Sequence, residues 1–237
     1  MLRLEHLFGR LGTLARRTEP VDHHFALATI FEIMEVAARA DLKSDLLKEL
    51  ERHKAQFQGY RGNPHVSEAA LDEVVGRIDQ AFSALHNLAG KAGQTLASND
   101  WLTGVRSRIS IPGGTCSFDL PGYYAWQQYP AERRQADLSR WIETLVPLAD
   151  ALRLLLGLLR DGGVPHRVVA AAGHYQQSLP QNRSYQLLRL RIEGELELVP
   201  EITGHRLMVS VRMMRADADG RLKPCGHDVA FDLTLCA

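Results

Sequence analysis

Residues 185–199 read Tyr-Gln-Leu-Leu-Arg-Leu-Arg-Ile-Glu-Gly-Glu-Leu-Glu-Leu-Val, and their alternation decides how the C-terminal part of the chain folds. Apolar residues share one parity and charged residues the other. The apolar set is Leu188, Leu190, Ile192, Leu196 and Leu198, and the charged set is Arg189, Arg191, Glu193, Glu195 and Glu197. Successive side chains of a strand point to opposite sheet faces, so the pattern predicts one buried and one solvated face. The stretches 207–213 and 229–235 repeat the alternation and predict further antiparallel strands.

The part of the chain before Gly162-Gly163-Val164-Pro165 is predicted to be helical, because its apolar residues recur at about 3.6-residue spacing. The segment 132–160 carries the longest apolar stripe, and Pro147 is expected to kink or divide it. Shorter helical patterns begin at Leu2 and cover 25–39, 41 or 44 to 57, 67–88 and 101–108. We therefore predict an α+β fold, with an N-terminal α-helical domain at 1–161 and a small antiparallel β domain at 163–237. The apolar sheet face is expected to pack on the leucine-rich helix.

Composition limits the classes of function. The chain has 28 Lys and Arg residues against 28 Asp and Glu residues, so its formal net charge is zero. General nucleic-acid binding needs an excess of positive charge, which argues against that class. We see no signal peptide and no apolar run near the roughly 20 residues that span a bilayer. The odd set Cys116, Cys225 and Cys236 indicates reduced thiols. We expect a cytoplasmic protein that binds neither nucleic acid nor membranes.

No catalytic or metal-binding constellation stands out. Cys116 lies in Gly114-Thr-Cys-Ser-Phe118, which partly matches a nucleophile elbow but lacks its final glycine and a neighbouring histidine. The adjacent His23 and His24 would point about 100° apart on a helix, and Cys225 with His227 falls short of the four ligands of structural zinc. We predict no enzyme, no cofactor and no metal. A cysteine-dependent hydrolase or transferase using Cys116 is kept as an alternative.

Basic residues of the predicted sheet suggest a binding surface. If strands 188–198 and 205–213 form a hairpin, the favoured register places Arg191 opposite Arg212 and Arg206 opposite Glu197. Like charges that face each other across strands destabilise a sheet, unless solvent or an anionic partner screens them. Arginine forks bind carboxylates well. The arginines are therefore either a solvated face or a docking surface for an acidic peptide.

One loop connects the chain to a known family. The stretch Ser110-Ile-Pro-Gly-Gly-Thr-Cys-Ser-Phe-Asp-Leu-Pro121 resembles the signature loop of the ZapD family of Z-ring-associated cell division proteins. The resemblance continues over nearly the whole chain, at residues 2–8, 46–50, 187–190, 200–205 and 231–236. It implies a non-enzymatic homodimer, with a helical and a β domain, that binds the C-terminal tail of the division GTPase FtsZ. Two tail sites per dimer would then crosslink filaments into bundles at the mid-cell ring. An adaptor for another acidic peptide is a further alternative.

The resemblance also implies roles for individual residues. Arg39 and Arg212 match basic family positions that bind the FtsZ tail, but Met208 replaces a third, for which Arg191 or Arg206 is expected to substitute. Arg3 matches an arginine near the family's dimer contact, while Trp101 and Tyr124 stand where relatives can have arginine and histidine. The expected partner-binding residues are Arg39, Arg191, Arg206 and Arg212, and the expected dimer-interface residues are Arg3, Trp101 and Tyr124. Relatives also carry an extended segment before the first helix; if it is a strand, its absence would expose a sheet edge.

Overall fold

The computed structural model describes residues 1–38 and 42–237. The chain divides into two compact units, Met1–Leu155 and Leu156–Ala237. Helices fill the first unit and antiparallel strands dominate the second, which confirms the predicted α+β class. The described helices are α1 (Leu2–Leu14), α2 (Pro20–Ala37), α3 (Leu42–Gln58), α4 (Glu68–His86), α5 (Gln94–Ala97), α6 (Asp100–Ile109), α7 (Pro121–Gln127), α8 (Ala131–Glu143) and α9 (Val146–Asp161). The boundary between the units falls inside α9.

Local sequence signals explain where several helices begin. Ser67 caps α4 as its side-chain oxygen accepts a hydrogen bond from the Ala70 amide at 3.3 Å. The predicted segment 132–160 is divided into α8 and α9, as expected from Pro147. Pro147 is the second residue of α9, where a missing N–H leaves no helical hydrogen bond unmade. α1 packs antiparallel to α2, and Arg10 Nε donates to Thr29 Oγ1 at 2.9 Å.

The Pro-Gly-Gly loop before α7 is a run of tight turns that requires both glycines. Gly113 has a φ of 71°, in the left-handed region that favours glycine. A Cβ on Gly114 would lie 2.7 Å from the Arg108 carbonyl oxygen, too close for any side chain. The loop is thus folded back on the end of α6, which explains the unusual composition of this stretch.

The β unit is built from two sheets. Its strands are β1 (Pro165–Ala170), β2 (His174–Ser178), β3 (Leu187–Arg191), β4 (Leu198–His205), β5 (Met208–Ala216), β6 (Leu222–Pro224) and β7 (Val229–Cys236). One sheet has the order β1-β7-β3 and the other β2-β5-β4, with β6 also paired to β5. Apolar side chains from both sheets form one core around Phe231, Val211 and Met213. The expectation of a single sheet was therefore wrong, because the apolar faces of two sheets cover each other.

The predicted hairpin register was also wrong. The stretch 185–199 is not one strand: a short 3-10 turn, Gly194–Leu196, and Glu197 with a φ of 50° separate β3 from β4. β3 pairs with β7, whereas β4 forms the hairpin with β5. Alternation shows which side chains face the core but not which strands pair, and Leu188, Leu190, Leu196 and Leu198 do all pack on that core.

Candidate functional site

Two of the predicted partner-binding arginines, Arg191 and Arg212, lie in different sheets, and each has an acidic residue opposite it on the neighbouring strand. Arg212 on β5 lies opposite Glu201, and their charged atoms approach to 2.6 Å. Arg191 on β3 lies opposite Asp232 of β7. The facing pair Arg191 and Arg212 that we expected is therefore wrong, because β3 and β5 belong to different sheets. Glu201 thus already pairs with Arg212. The Asp232 carboxylate instead lies 3.3 Å from Arg167, and within the described residues Arg191 makes no ion pair.

Arg206 has a different environment. It lies in the turn between β4 and β5 instead of facing Glu197 as predicted, and within the described ranges 1–38 and 42–237 it makes no ion pair. It lines a groove of about 520 Å³ in the β unit, together with His205. The other lining residues are apolar or uncharged, and they are Leu179, Ser184, Tyr185, Gln186, Leu187, Leu188, Ile202, Gly204, Val209 and Leu235. This groove is the candidate partner site of the β unit. Arg39 lies outside the described residues.

The predicted dimer residue Arg3 lies on a groove of the helical unit. This groove, of about 670 Å³, is formed by the start of α1 and the second half of α2. Its lining residues are Leu2, Arg3, His6, Leu7, Glu32, Glu35 and Val36. Basic side chains therefore come from α1 and acidic side chains from α2. Such a surface can complement itself when a second copy meets it across a two-fold axis.

Exposed apolar side chains continue this groove along α2. Val21 and Phe25 are 57% and 53% exposed, although they occupy a helix that is apolar around most of its circumference. At 100° per residue, they lie on the same face as Glu32 and Glu35. We call the residues Val21, Phe25, Glu32 and Glu35, with Arg3, the α2 stripe. Its mixed apolar and charged character is typical of a protein interface.

The predicted dimer residues Trp101 and Tyr124 differ in exposure. Trp101 is partly buried in an aromatic cluster, with ring centroids 5.4 Å from Trp141 and 5.6 Å from Trp126. Tyr124 is 48% exposed. The neighbouring Tyr123 is buried and its hydroxyl lies 2.7 Å from His24 Nδ1 on α2. Burial raises the pKa of Tyr123 and lowers the pKa of His24, so both are neutral at pH 7. Trp101 thus supports the helical core, and Tyr124 is the one of these two predicted dimer residues that a second subunit can reach.

A buried arginine that the sequence prediction missed links several helices and loops of the helical unit. Arg134 of α8 is 4% exposed, and its Nε donates to His23 Nδ1 at 2.9 Å. Its terminal nitrogens donate to the carbonyl oxygens of Gln127, Tyr129 and Thr18. Since arginine only donates, His23 carries its proton on Nε2, which donates to the Arg17 carbonyl at 2.7 Å. Arg134 lies one turn before Leu138 on the apolar side of α8, and this spacing was the signal in the sequence.

The His23–Arg134 contact predicts acid sensitivity. Burial lowers the pKa of His23, and the nearby Arg134 cation lowers it further, against an opposing hydrogen bond to Arg17. The unfolded chain therefore binds more protons than the folded one as the pH falls below about 6.5. We expect the free energy of unfolding to decrease in that range, by at most about 1.4 kcal/mol per pH unit for this histidine. Urea unfolding at a series of pH values between 7.5 and 5.5 measures this decrease in the free energy of unfolding.

A variant pair isolates the histidine in that measurement. His23→Gln keeps a side-chain acceptor and donor without a titrating ring, so it should reduce the slope to the part that His24 and His53 contribute, since burial lowers their pKa values too. The exposed His65→Gln should retain the slope of the unmodified protein. Equal slopes in all three proteins would contradict the assignment of acid sensitivity to His23.

The cysteines offer no support for the hydrolase alternative. The Cys116 thiol donates to Asp119 Oδ2 at 3.1 Å instead of contacting a histidine. Cys225 lies 3.3 Å from the His227 ring but is buried. In the described part of the chain, no group of three or more His, Cys, Asp or Glu residues could hold a metal ion. None of the described helices has the length and apolar character required to span a membrane.

Comparisons with known proteins agree on one family. Residues 2–212 match the family model described as "ZapD: Cell division protein". A protein of Ralstonia pickettii (strain 12J), named Cell division protein ZapD, is 49% identical over 237 residues, which cover 100% of this chain and 94% of the relative. A protein of the same name from Ralstonia nicotianae (strain ATCC BAA-1114 / GMI1000) has the same identity and coverage. The resemblance that began with the Pro-Gly-Gly loop is thus confirmed along the chain.

Proposed function

We propose that this chain, which belongs to the ZapD family and has a role in cell division, is a non-enzymatic dimer that crosslinks FtsZ filaments. In this proposal each subunit binds the C-terminal tail of one FtsZ molecule through its β unit. The helical unit holds two subunits together. A dimer then carries two equivalent tail sites, which is the minimum needed to bridge two filaments. Binding to FtsZ would recruit the cytoplasmic protein to the mid-cell ring.

The environment of Arg206 is the observation that carries the tail site. This arginine extends from a turn beside an apolar groove, and among the residues that the structure describes no carboxylate lines that groove. By contrast, Arg212 is paired with Glu201, and Arg191, which makes no ion pair within the described residues, does not line the groove. A tail carboxylate can pair with Arg206 without displacing an internal partner, whereas at Arg212 it would compete with Glu201. We therefore assign Arg206 the main contact and keep Arg39, Arg191 and Arg212 as secondary ones.

The α2 stripe is the surface that we propose for the dimer. An exposed phenylalanine and valine on one helix face lose contact with water when a second copy covers them. A two-fold axis through this surface would bring Arg3 of each subunit near Glu35 of the partner helix, whereas Glu32 is already paired with Arg10 at 2.6 Å. Tyr124, which is also exposed, is proposed to lie at the edge of this interface. Trp101 would act indirectly, by positioning the aromatic cluster behind it.

The proposed tail site predicts that Arg206→Glu weakens tail binding by about tenfold or more, since one attraction becomes a repulsion. Fluorescence anisotropy with a labelled FtsZ tail peptide measures the affinity, and sedimentation of FtsZ with GTP measures bundling. The matched control is Arg221→Glu, which makes the same charge change at an exposed position outside the groove. Added salt should weaken tail-peptide binding by the unmodified protein and reduce the difference in affinity between the two variants. If the unmodified protein neither binds the peptide nor increases pelleted polymer, the proposed function is wrong.

A further inference from the structure

Two unpaired strand edges border the groove that contains Arg206. β3 ends the order β1-β7-β3 and β4 ends the order β2-β5-β4, so among the described strands each has a neighbour on one side only. The groove is lined by the start of β3, with Leu187 and Leu188, and by the end of β4, with Ile202 and Gly204. Edge strands present free N–H and C=O groups, which can accept another strand. The groove therefore offers backbone hydrogen bonds as well as a cavity.

The floor of the groove is apolar core that none of the described strands covers. Ile202 lies opposite the fully buried Val211, yet Ile202 is 45% exposed. The buried Val209 and the partly buried Leu188 and Leu235 also line the cavity. A residue that points toward the core and still contacts water indicates an incomplete layer of side chains. An added segment with apolar residues at alternate positions would complete it.

The charges around the groove select the kind of segment. Arg206 and His205 line it, and none of its lining residues within 1–38 and 42–237 is an Asp or a Glu. The guanidinium of Arg183 lies 5.3 Å from the ring centroid of Tyr185, which is also a lining residue, so a second guanidinium is near the rim. The positive electrostatic potential of these arginines favours a segment that carries carboxylates beside its apolar residues.

We propose that an acidic, partly apolar peptide binds this groove as an added β-strand between β3 and β4. The inference rests on the proposed function, since the occupant we assign is the partner's acidic tail. Its alternate apolar side chains enter the cavity over Val209 and Leu235, while its carboxylates meet Arg206 and His205. This is strand addition, in which backbone hydrogen bonds supply affinity and side-chain pockets supply specificity.

The geometry limits the length of the bound strand. β3 offers the five residues Leu187–Arg191, which correspond to about 16 Å of extended chain at roughly 3.3 Å per residue. On β4, Pro200 lacks an N–H donor, so regular pairing is favoured from Ile202 to His205. The bound core of the peptide is therefore about four to five residues long.

Gly204 allows a direct test. It lines the groove and lies opposite Val209, and a Cβ built on it meets no atom within 4 Å. Gly204→Phe should fill the cavity without disturbing the strand, since phenylalanine favours strands. We expect at least tenfold weaker binding of the labelled tail peptide. The control is Gly194→Phe, at an exposed position outside the groove where a Cβ also meets no atom within 4 Å. Its affinity should stay within twofold of the unmodified protein.

Hydrogen–deuterium exchange of the unmodified protein provides a second readout that does not depend on the folding of a variant. The peptide should slow exchange of those amides in β3 and in the Ile202–His205 part of β4 that point away from β7 and β5, because the other amides already donate within the sheets. If the peptide binds but Gly204→Phe binds equally well, or protection appears elsewhere, the groove inference is wrong and the proposed function stands. If these amides are already protected without peptide, a segment of the protein itself or of a second copy occupies the groove, which also overturns the inference. Failure of the unmodified protein to bind the peptide would overturn both.

Discussion

Replacing Phe25 with glutamate is expected to convert the dimer to a monomer and to abolish filament bundling. Phe25 is 53% exposed and lies at the centre of the α2 stripe. In the proposed dimer it is buried beside Val21, so the variant would bury two additional carboxylates in the apolar part of the interface. Light scattering after size-exclusion chromatography measures the mass, and sedimentation of FtsZ with GTP measures bundling. We expect half the mass and no increase in pelleted polymer over FtsZ alone.

The same variant separates dimerisation from partner binding. Each monomer retains its own β unit, so its affinity for a single tail peptide should be unchanged. Bundling requires two linked sites and should be lost completely, because one site cannot bridge two filaments. Tyr60→Glu is the matched control, since Tyr60 is an exposed aromatic residue of the helical unit outside the α2 stripe. A Phe25→Glu protein that remains a dimer would show that the stripe is not the interface.

Periodicity predicted the fold well where neighbours in sequence decide the structure. The spacing of apolar residues placed the helices, and Pro147 correctly divided α8 from α9. The parity of Val229, Phe231 and Leu233 correctly identified the core side of the last strand. These features follow from the chain's local geometry. A helix or a strand fixes which side chains share a face, whichever element covers that face.

Strand pairing was not predictable in the same way. The alternation through Leu190 and Leu198 is continuous, but the 3-10 turn at Gly194–Leu196 sends β3 and β4 to different sheets. Which sheet each of these strands joins depends on contacts between residues far apart in sequence. The candidate groove is a consequence of it, because two strand edges meet only when both sheets have formed. Arg206 could therefore be proposed from its charge, whereas the cavity beside it required the structure.

Arg134 shows that a residue of the wrong polarity in an apolar stripe is informative. Arg134 precedes Leu138 by four residues and Trp141 by seven, which places all three on one side of α8. A charge there must find internal partners, since isolated burial of a cation is very costly. The partners are carbonyl oxygens at the end of α7 and in the loops before α2 and before α8, together with His23. None of them is recognisable as a partner from the sequence.

Arg134→Ala is accordingly expected to destabilise the helical unit far more than the loss of an exposed arginine would. The change leaves the carbonyl oxygens of Thr18, Gln127 and Tyr129 and the Nδ1 atom of His23 without their donor. Each unsatisfied buried polar group costs about 1–3 kcal/mol, and water entering the cavity recovers part of this. We therefore expect the free energy of unfolding to fall by at least about 3 kcal/mol, measured by urea denaturation at pH 7.5.

Comparison with Arg133→Ala shows whether burial or charge causes that loss. Arg133 lies beside Arg134 on α8 but is exposed, and its guanidinium lies 3.6 Å from the ring centroid of Tyr129. Removing such a surface contact costs on the order of 0.5–1 kcal/mol. Both variants remove one positive charge from the same helical turn, so they change the net charge and the helix dipole interaction equally. A similar, small loss in both would mean that the Arg134 hydrogen bonds do not hold the two loops. A large loss in Arg134→Ala alone would show that four acceptors in separate segments depend on one donor.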